Sequence, residues 1–371
     1  MSDFTIGFIG FGLIAGSLAR SMKEIYPNYK LYAYDYGNHN DKDTPNGLTL
    51  ALADHVLDCT FSSLEDFSVC DIIFLCAPVR NNTSYLPLLK NIMKPSCILT
   101  DVGSVKGNIH KAVAYYQLED NFIGGHPMAG SEKTGYENSS SKLFENAYYI
   151  LTPSEKTDPA SLNFLTKLIK DIGAIPIVLD YKEHDNITAA ISHVPHIIAA
   201  SLVNLVKSSD DEDEKMRTLA AGGFKDITRI ASSSPIMWQN ICLSNRESIK
   251  HFLENYITSL EDIKAAITRQ DEEYLYQIFD TANEYRRSIP NSSKGLMEKV
   301  YEIFIDIIDE AGAIATIATL LATNMINIKN IGIIHNREFA EGVLRIEFYE
   351  DVAKERAIEL LNKYRYTVYD R

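Results

Sequence analysis

Three imidazoles, a hydroxyl and a guanidinium carry the chemistry this sequence offers. His126 stands in Gly125-His126-Pro127-Met128-Ala129-Gly130-Ser131-Glu132, just past an apolar run, Asn121–Gly124, that reads as a strand. Imidazole changes charge near neutral pH, so a histidine at the end of a sheet strand suits acid–base work. Ser104, in Gly103-Ser104-Val105-Lys106 after the run Cys97–Val102, is placed to hold that histidine or a substrate hydroxyl in register. His193 and His196, in Ser192-His193-Val194-Pro195-His196, share one helix face. A zinc pair, polar packing inside a bundle and substrate contact all fit that spacing. No His-Glu-x-x-His accompanies them and no third ligand is evident, so no metal is expected. Arg229 lies one helical turn after Lys225 and Asp226, in Gly222-Gly223-Phe224-Lys225-Asp226-Ile227-Thr228-Arg229. Its planar, permanently charged fork suits a carboxylate, and Asp226 is spaced to orient it. Trp238, the only tryptophan, is expected to pack in the core or at an interface.

A cofactor signal opens the chain. A strand, Thr5–Ile9, enters Gly10-Phe11-Gly12-Leu13-Ile14-Ala15-Gly16 and then a helix. The first glycine allows a tight turn and the second lets backbone approach a pyrophosphate. The small residues Ala15 and Gly16 let the helix pack on the strand. The helix start offers unpaired N–H groups to phosphates. A second strand, Lys30–Tyr34, ends at Asp35, 23 residues after Gly12. A carboxylate there binds ribose hydroxyls and repels a 2′-phosphate, so NAD is expected over NADP. Ile72–Cys76 ends in Ala77-Pro78-Val79. These residues should join the glycine turn and Gly103 in one crevice, because such sheets bind ligands outside the carboxyl ends of their strands.

Composition bounds the reading. The 371 residues suffice for two or three domains. Hydrophobic (46%) and charged (23%) fractions are those of a soluble globular chain, which excludes wholesale disorder and a coiled-coil rod. A net charge of −14 argues against nucleic-acid binding, although a pocket can still carry local positive charge. Cys59, Cys70, Cys76, Cys97 and Cys242 form no Cys-x-x-Cys, which fits a reducing compartment. The N-terminus lacks a basic stretch, so no signal peptide is expected. The apolar stretch 187–206 is broken by Ser192, His193, Pro195, His196 and Asn204 and reads as a buried helix rather than a membrane span. A cytoplasmic chain without a membrane partner is expected.

Elements must carry these residues. Strands are predicted at Thr5–Ile9, Lys30–Tyr34, Ile72–Cys76, Cys97–Val102, Asn121–Gly124, Tyr148–Leu151 and Ile175–Leu179. Helices are predicted at Ala15–Glu24, Pro87–Met93 and Leu162–Ile172. The alternation predicts an α/β fold, a Rossmann-like doubly wound sheet over residues 1–180. Residues 181–290 show helical periodicity and few glycines. They predict an all-helical substrate and dimerisation domain, because a segment so rich in Ile, Leu and Ala must bury its faces, commonly across a two-fold axis. The acidic run Ser208–Lys215 reads as a solvated loop or a helix start, and Ser288–Gly295 as a linker. Residues 298–371 follow with strands Tyr301–Ile308, Ile326–Ile334, Val343–Phe348 and Tyr366–Tyr369, and helices Gly312–Thr323 and Val352–Lys363. That order is the ferredoxin-like βαββαβ.

Five motifs occur in order: Gly103-Ser104-Val105-Lys106, Gly125–Glu132, His193-x-x-His196, Phe224-Lys225-Asp226-x-Thr228-Arg229-Ile230-Ala231 and Pro235-x-Met237-Trp238. Through them nearly the whole chain resembles the prephenate dehydrogenases that end in an ACT domain. The resemblance implies NAD-dependent oxidative decarboxylation of prephenate to 4-hydroxyphenylpyruvate, in tyrosine biosynthesis, by a homodimer. It implies that His126 accepts the ring-hydroxyl proton and that Ser104 bridges that hydroxyl and the histidine. His193, His196, Ser131 and Glu132 would line the substrate pocket, Arg229 would clamp a carboxylate, and Asp226 and Trp238 would support the pocket. Phe11, Leu13, Ile14, Pro78, Val79 and Gly103 would join Gly10, Gly12, Asp35 and Ala77 around the dinucleotide. Aromatisation drives the reaction, so no metal electron sink is needed. His126 must be neutral, so activity should rise with pH through an ordinary imidazole value, ~6.5. In the last domain Asp309, Gly312 and Asn327 resemble the ligand loop and strand of ACT modules, implying an L-tyrosine effector. A purely structural domain is the other reading. Arogenate is the alternative substrate. A non-catalytic sensor of NAD and an amino acid is the alternative function, and it would not need Ser104, His126 and Arg229.

Overall fold

Strands buried on both faces organise the first part of the chain. The computed structural model describes residues 4–35, 47–130, 133–289, 301–307, 312–334 and 342–369. Its elements begin β1 (Thr5–Ile9), α1 (Leu13–Ile25), β2 (Lys30–Tyr34), α2 (Gly47–Ala53), β3 (Cys59–Thr60), β4 (Ile72–Leu75), α3 (Val79–Ile92), β5 (Ile98–Asp101) and α4 (Gly107–Tyr115). There follow β6 (Phe122–Pro127), β7 (Tyr148–Pro153), α5 (Pro159–Asp171) and β8 (Ile175–Val178). The sheet order is β3-β2-β1-β4-β5-β6-β7-β8. The chain leaves β1 on one side for β2 and β3, and on the other for β4, so the switch point lies between the carboxyl ends of β1 and β4. Alternate residues feed two cores. Ile72 and Phe74 join Phe8, Leu18, Met22 and Leu165 on the α1 and α5 side. Ile73 and Leu75 join Leu86, Leu89, Ile109 and Val113 on the α3 and α4 side. Each such side chain contributes about 1.5–3 kcal/mol on burial, which is why these strands read as continuous apolar runs.

Several expectations need correction here. The strand expected at Asn121–Gly124 runs on to Pro127, which places His126 inside β6 rather than after it. β7 pairs antiparallel with β6, and β8 parallel with β7, so the last two strands reverse instead of continuing a parallel winding. Between β6 and β7 the described residues form only a short 3-10 turn, Tyr136–Asn138, and no crossover helix returns the chain. The helix expected at Pro87–Met93 is the second half of α3, whose polar first half, Arg80–Tyr85, hid its start.

The helical part comprises α6 (Tyr181–Thr188), α7 (Val194–Ser209), α8 (Lys215–Leu219), α9 (Gly222–Thr228), α10 (Pro235–Ser244), α11 (Arg246–Arg269) and α12 (Glu272–Ser288). The Asp180 carboxylate starts α6 by accepting from the N–H groups of Lys182 and Glu183. A π-helical turn, Ala189–His193, joins α6 to α7. It precedes Pro195, which has no N–H for the carbonyl four residues back. The run Tyr181–Ser209 is long and apolar enough to cross a membrane by length and composition. Yet His184, Asp185 and His193 lie buried along it. The buried helix expected at 187–206 is only partly buried in this chain, since Ile191 and Leu205 stay exposed. Val194, Ile197, Ile249, Phe252 and Leu253 pack α7 on α11, while Leu219, Ile236 and Phe279 remain uncovered. In the acidic run the Asp210 carboxylate accepts from Met216 and Arg217 N–H groups and so starts α8.

The chain forms two compact units, Met1–Gly295 and Leu296–Arg371. The second holds β9 (Tyr301–Ile307), α13 (Ala313–Thr323), β10 (Ile328–Ile334), β11 (Gly342–Phe348), α14 (Asp351–Lys363) and β12 (Val368–Tyr369). Its sheet runs β10-β11-β9-β12, every pair antiparallel, over a core that includes Ile303, Ile305, Ile317, Leu321, Leu344 and Leu361. The βαββαβ order is as expected among the described residues. Ile326 is buried ahead of β10 rather than within it. Ile308 and most of the expected linker lie outside the described residues.

Candidate active site

The switch point is built on Gly10. Its φ is +86°, its N–H donates to the Tyr34 carbonyl at 2.8 Å, and a Cβ on it would lie 2.6 Å from the Ala77 nitrogen. Only glycine fits that turn, which brings the end of β1 against the end of β4. Gly12 precedes α1 without a side-chain cap, and a Cβ on it would meet nothing within 4 Å. Phe11 is buried beneath, and Leu13 and Ile14 open the helix. Asp35 follows β2 and is half-buried. Pro78 precedes α3 and Val79 begins it. Gly103 comes close to Val79 and donates to the Asp101 carboxylate at 3.0 Å. An uncapped helix start, a bare glycine above it and a carboxylate after the second strand fit a dinucleotide. Gly16 differs from expectation. A Cβ there would lie 2.7 Å from the Tyr136 ring, so its smallness admits the Tyr136 turn rather than the strand.

Next to this crevice lies a buried polar chain. His126 Nδ1 is 2.7 Å from His184 Nε2, and His184 Nδ1 is 2.9 Å from Asp185 Oδ1. The Asp185 carboxylate also accepts the Lys106 and Gly107 N–H groups, at 2.8 and 2.7 Å. Fully buried Lys106 places Nζ 2.5 Å from Asp101 Oδ2 and 2.5 Å from the Gly125 carbonyl. Burial pulls the Lys106 ammonium below its ordinary range, against the opposing pull of Asp101. Burial also holds His126 well below the ordinary imidazole value, helped by His184, Lys106 and His193. The expectation of an ordinary value near 6.5 for His126 is corrected accordingly. The partner of its Nδ1 is His184 and not Ser104, which is half-buried after β5.

Contacts of α4 with α6, and of α3 with α10, bring the helical part to the sheet. His193 and His196 both meet Trp238. The His196 ring stacks on the indole at 3.9 Å, and His193 stands edge-on at 6.1 Å. Asn245 bridges His193 Nδ1 (3.2 Å) and the Asp185 carbonyl (2.7 Å), tying this wall to the polar chain. Burial lowers His193 to about 4. His196 is lowered by burial first, and its Nδ1 donates to the Ser192 carbonyl at 2.9 Å. The charge of exposed Arg229 also lowers His196. Trp238 Nε1 is buried without a hydrogen-bond partner among the described residues.

The structure therefore gathers the glycine turn, Ala77, Gly103 and His126 at strand ends, and groups His193, His196, Trp238 and Arg229 around one wall. Asp226 and Arg229 are both exposed. Between them α9 ends, at Thr228, and the backbone tightens into a 3-10 turn at Arg229. Ser131, Glu132 and Asp309 lie outside the described residues. Gly312, with φ of +96°, precedes α13, and Asn327 is exposed just before β10. Sequence reasoning missed His184, Asp185, Asp101 and Asn245. The available signal was a His–Asp pair at the head of an otherwise apolar helical run.

Residues 18–178 match the family described as prephenate dehydrogenase, nucleotide-binding domain, and residues 180–281 match the prephenate dehydrogenase dimerization domain. A prephenate dehydrogenase of Bacillus subtilis is 37% identical, over 95% of this chain and 94% of that protein. A solved prephenate dehydrogenase from A. aeolicus, in complex with hydroxyphenyl propionate and NAD+, superposes with a TM-score of 0.72 at 32% identity, covering 78% of this chain and 99% of that one. A Synechocystis arogenate dehydrogenase superposes with a TM-score of 0.68 at 28% identity, covering 77% of this chain and 100% of that one.

Proposed function

The chain belongs to the prephenate dehydrogenase family, and from that premise we propose that it oxidises and decarboxylates prephenate with NAD, with His126 as the base. The carrying observation is that His126 engages its Nδ1 with His184 and so keeps Nε2 for a ligand, beside the strand ends that build the dinucleotide crevice. Gly10, Phe11, Gly12, Leu13, Ile14, Asp35, Ala77, Pro78, Val79 and Gly103 hold the cofactor. Bound NAD supplies the acceptor for the hydride of the ring carbinol carbon.

His126, kept neutral by burial, takes the hydroxyl proton on Nε2 as that carbon becomes a carbonyl. The ring carboxylate leaves as carbon dioxide, and the electrons of its C–C bond pass into the ring. The oxygen, now a phenolate, takes the proton back. Prephenate and NAD+ become 4-hydroxyphenylpyruvate, carbon dioxide and NADH, with no proton left over. Ser104 orients the hydroxyl, and Arg229 pairs with a carboxylate. His193, His196 and Trp238 form the wall against the ring. A non-catalytic sensor would not need this base and its supports.

The uncovered Leu219, Ile236 and Phe279 support a homodimer through the helical part. Five free cysteines accord with the cytoplasm. The sheet order and the positive φ of Gly312 support an ACT module that takes L-tyrosine near Asp309, Gly312 and Asn327. Deleting residues 298–371 should abolish tyrosine inhibition, and inhibition retained in full would make that unit purely structural. The function itself is tested by NADH absorbance after mixing the protein with NAD and prephenate, repeated with arogenate. NADH should form with prephenate, and none with either substrate overturns the reading. Faster turnover of arogenate would favour the second reading, which the likeness to the Synechocystis enzyme supports.

A further inference from the structure

His184 and Asp185 determine which nitrogen of His126 is bare. Both oxygens of the Asp185 carboxylate accept backbone N–H groups, from Lys106 and Gly107. At 2.9 Å from Oδ1, His184 Nδ1 is therefore the donor. A neutral His184 with its proton on Nδ1 has a bare Nε2, and that nitrogen accepts Nδ1–H of His126 at 2.7 Å. A neutral His126 is then left with a bare Nε2. The two supports are themselves fixed. His184 is fully buried and its carbonyl accepts the Thr188 hydroxyl at 2.9 Å, while the Asp185 carbonyl accepts from Asn245.

We propose that Asp185 and His184 are positioning residues that fix the reactive tautomer of His126 and take up its charge while it holds the substrate proton. The inference rests on the reading of His126 as the base. When Nε2 gains the hydroxyl proton, the Nδ1 proton shifts to His184 Nε2. One N–H bond forms and one breaks, and the cation comes to lie beside the Asp185 carboxylate. The shift reverses as the phenolate reclaims its proton. Storage without export suits a reaction that leaves no net proton. The other groups facing His126 are Lys106, ahead of α4, and His193, in the π-helical turn, and the Lys106 ammonium disfavours a cation there. Charge moved to His184 is balanced by the Asp185 carboxylate at 2.9 Å. The serine-protease triad uses a carboxylate in the same way, to hold a histidine in the working tautomer.

The test uses the full-length enzyme. In His184→Gln the amide oxygen still accepts Nδ1–H of His126 but cannot take the proton. In Asp185→Asn the tautomer itself is released. At saturating NAD, kcat should fall about tenfold or more in His184→Gln and further in Asp185→Asn, with the KM for prephenate within about threefold. Nitrogen-15 NMR of wild-type His126 should show Nδ1 protonated and Nε2 bare. A proton found on Nε2 overturns the inference, as does a folded His184→Gln with wild-type kcat or a loss confined to KM. Should Asp185→Asn fail to fold, because its carboxylate also caps α4, His184→Gln and the wild-type spectrum decide. His126→Asn separates the two ideas. Full activity in that variant overturns the base assignment, whereas an inactive His126→Asn beside a fully active His184→Gln overturns this inference alone.

Discussion

Replacing Lys106 by methionine isolates the electrostatic support beneath His126. Methionine keeps the apolar stem and the length but removes the ammonium that lies 2.5 Å from both the Asp101 carboxylate and the Gly125 carbonyl. Asp101 would then stay buried, held only by the N–H groups of Gly103 and Gly125 at 3.0 and 3.2 Å. Breaking a buried pair from one side costs about 3–5 kcal/mol. At roughly 2–4 °C per kcal/mol for a large domain, the midpoint of unfolding should fall by on the order of 10 °C. Urea or thermal unfolding of the full chain reads this directly. Adding Asp101→Asn to Lys106→Met removes the stranded charge and should recover more than half of the loss. A single variant within about 1 kcal/mol of wild type, or a double variant no more stable than the single, would refute the reasoning.

Other predictions follow from the same groups. Burial holds His110 and His193 near 4, whereas the unfolded chain protonates them near ~6.5, so stability is full above that value and declines as pH falls toward 4. Each histidine removes up to about 3 kcal/mol over that window, and equal urea midpoints at pH 7 and pH 4.5 would contradict this. Because His126 is held well below the ordinary imidazole value, the acid limb of kcat/KM should fall below ~6.5, and a limb above it would contradict the burial argument. Gly10→Ala puts a Cβ 2.6 Å from the Ala77 nitrogen at a φ of +86°. The left-handed backbone alone costs about 1–2 kcal/mol, so NAD affinity should drop about tenfold or more in titration. Arg229→Ala should raise the KM for prephenate about tenfold with a smaller effect on kcat, as loss of one charged hydrogen-bond partner predicts, and an unchanged KM would remove Arg229 from the pocket.

What could be read from residues alone follows a physical divide. β1 and β4 were legible because burial on both faces leaves only Thr5 as a polar residue in them. The glycine turn was legible because Gly10 answers a backbone constraint that no other residue meets. Strand direction was not legible, since the alternation of side chains is the same in β7 whichever way it runs. The lack of a crossover helix among the described residues between Met128 and Ala147 is what the reversal reflects. The partner of His126 was hidden because His184 lies 58 residues away in the chain, and no local spacing rule reaches that far. Helical spacing puts Asp226 and Arg229 on one face, but α9 ends between them.

The account turns on neutral His126 taking a proton from the ring hydroxyl. Single-turnover formation of NADH from prephenate, in wild type and in His126→Asn at matched NAD occupancy, tests it directly. The variant should bind NAD as wild type does and form NADH about 100- to 10,000-fold more slowly. A rate within about threefold of wild type would contradict the assignment.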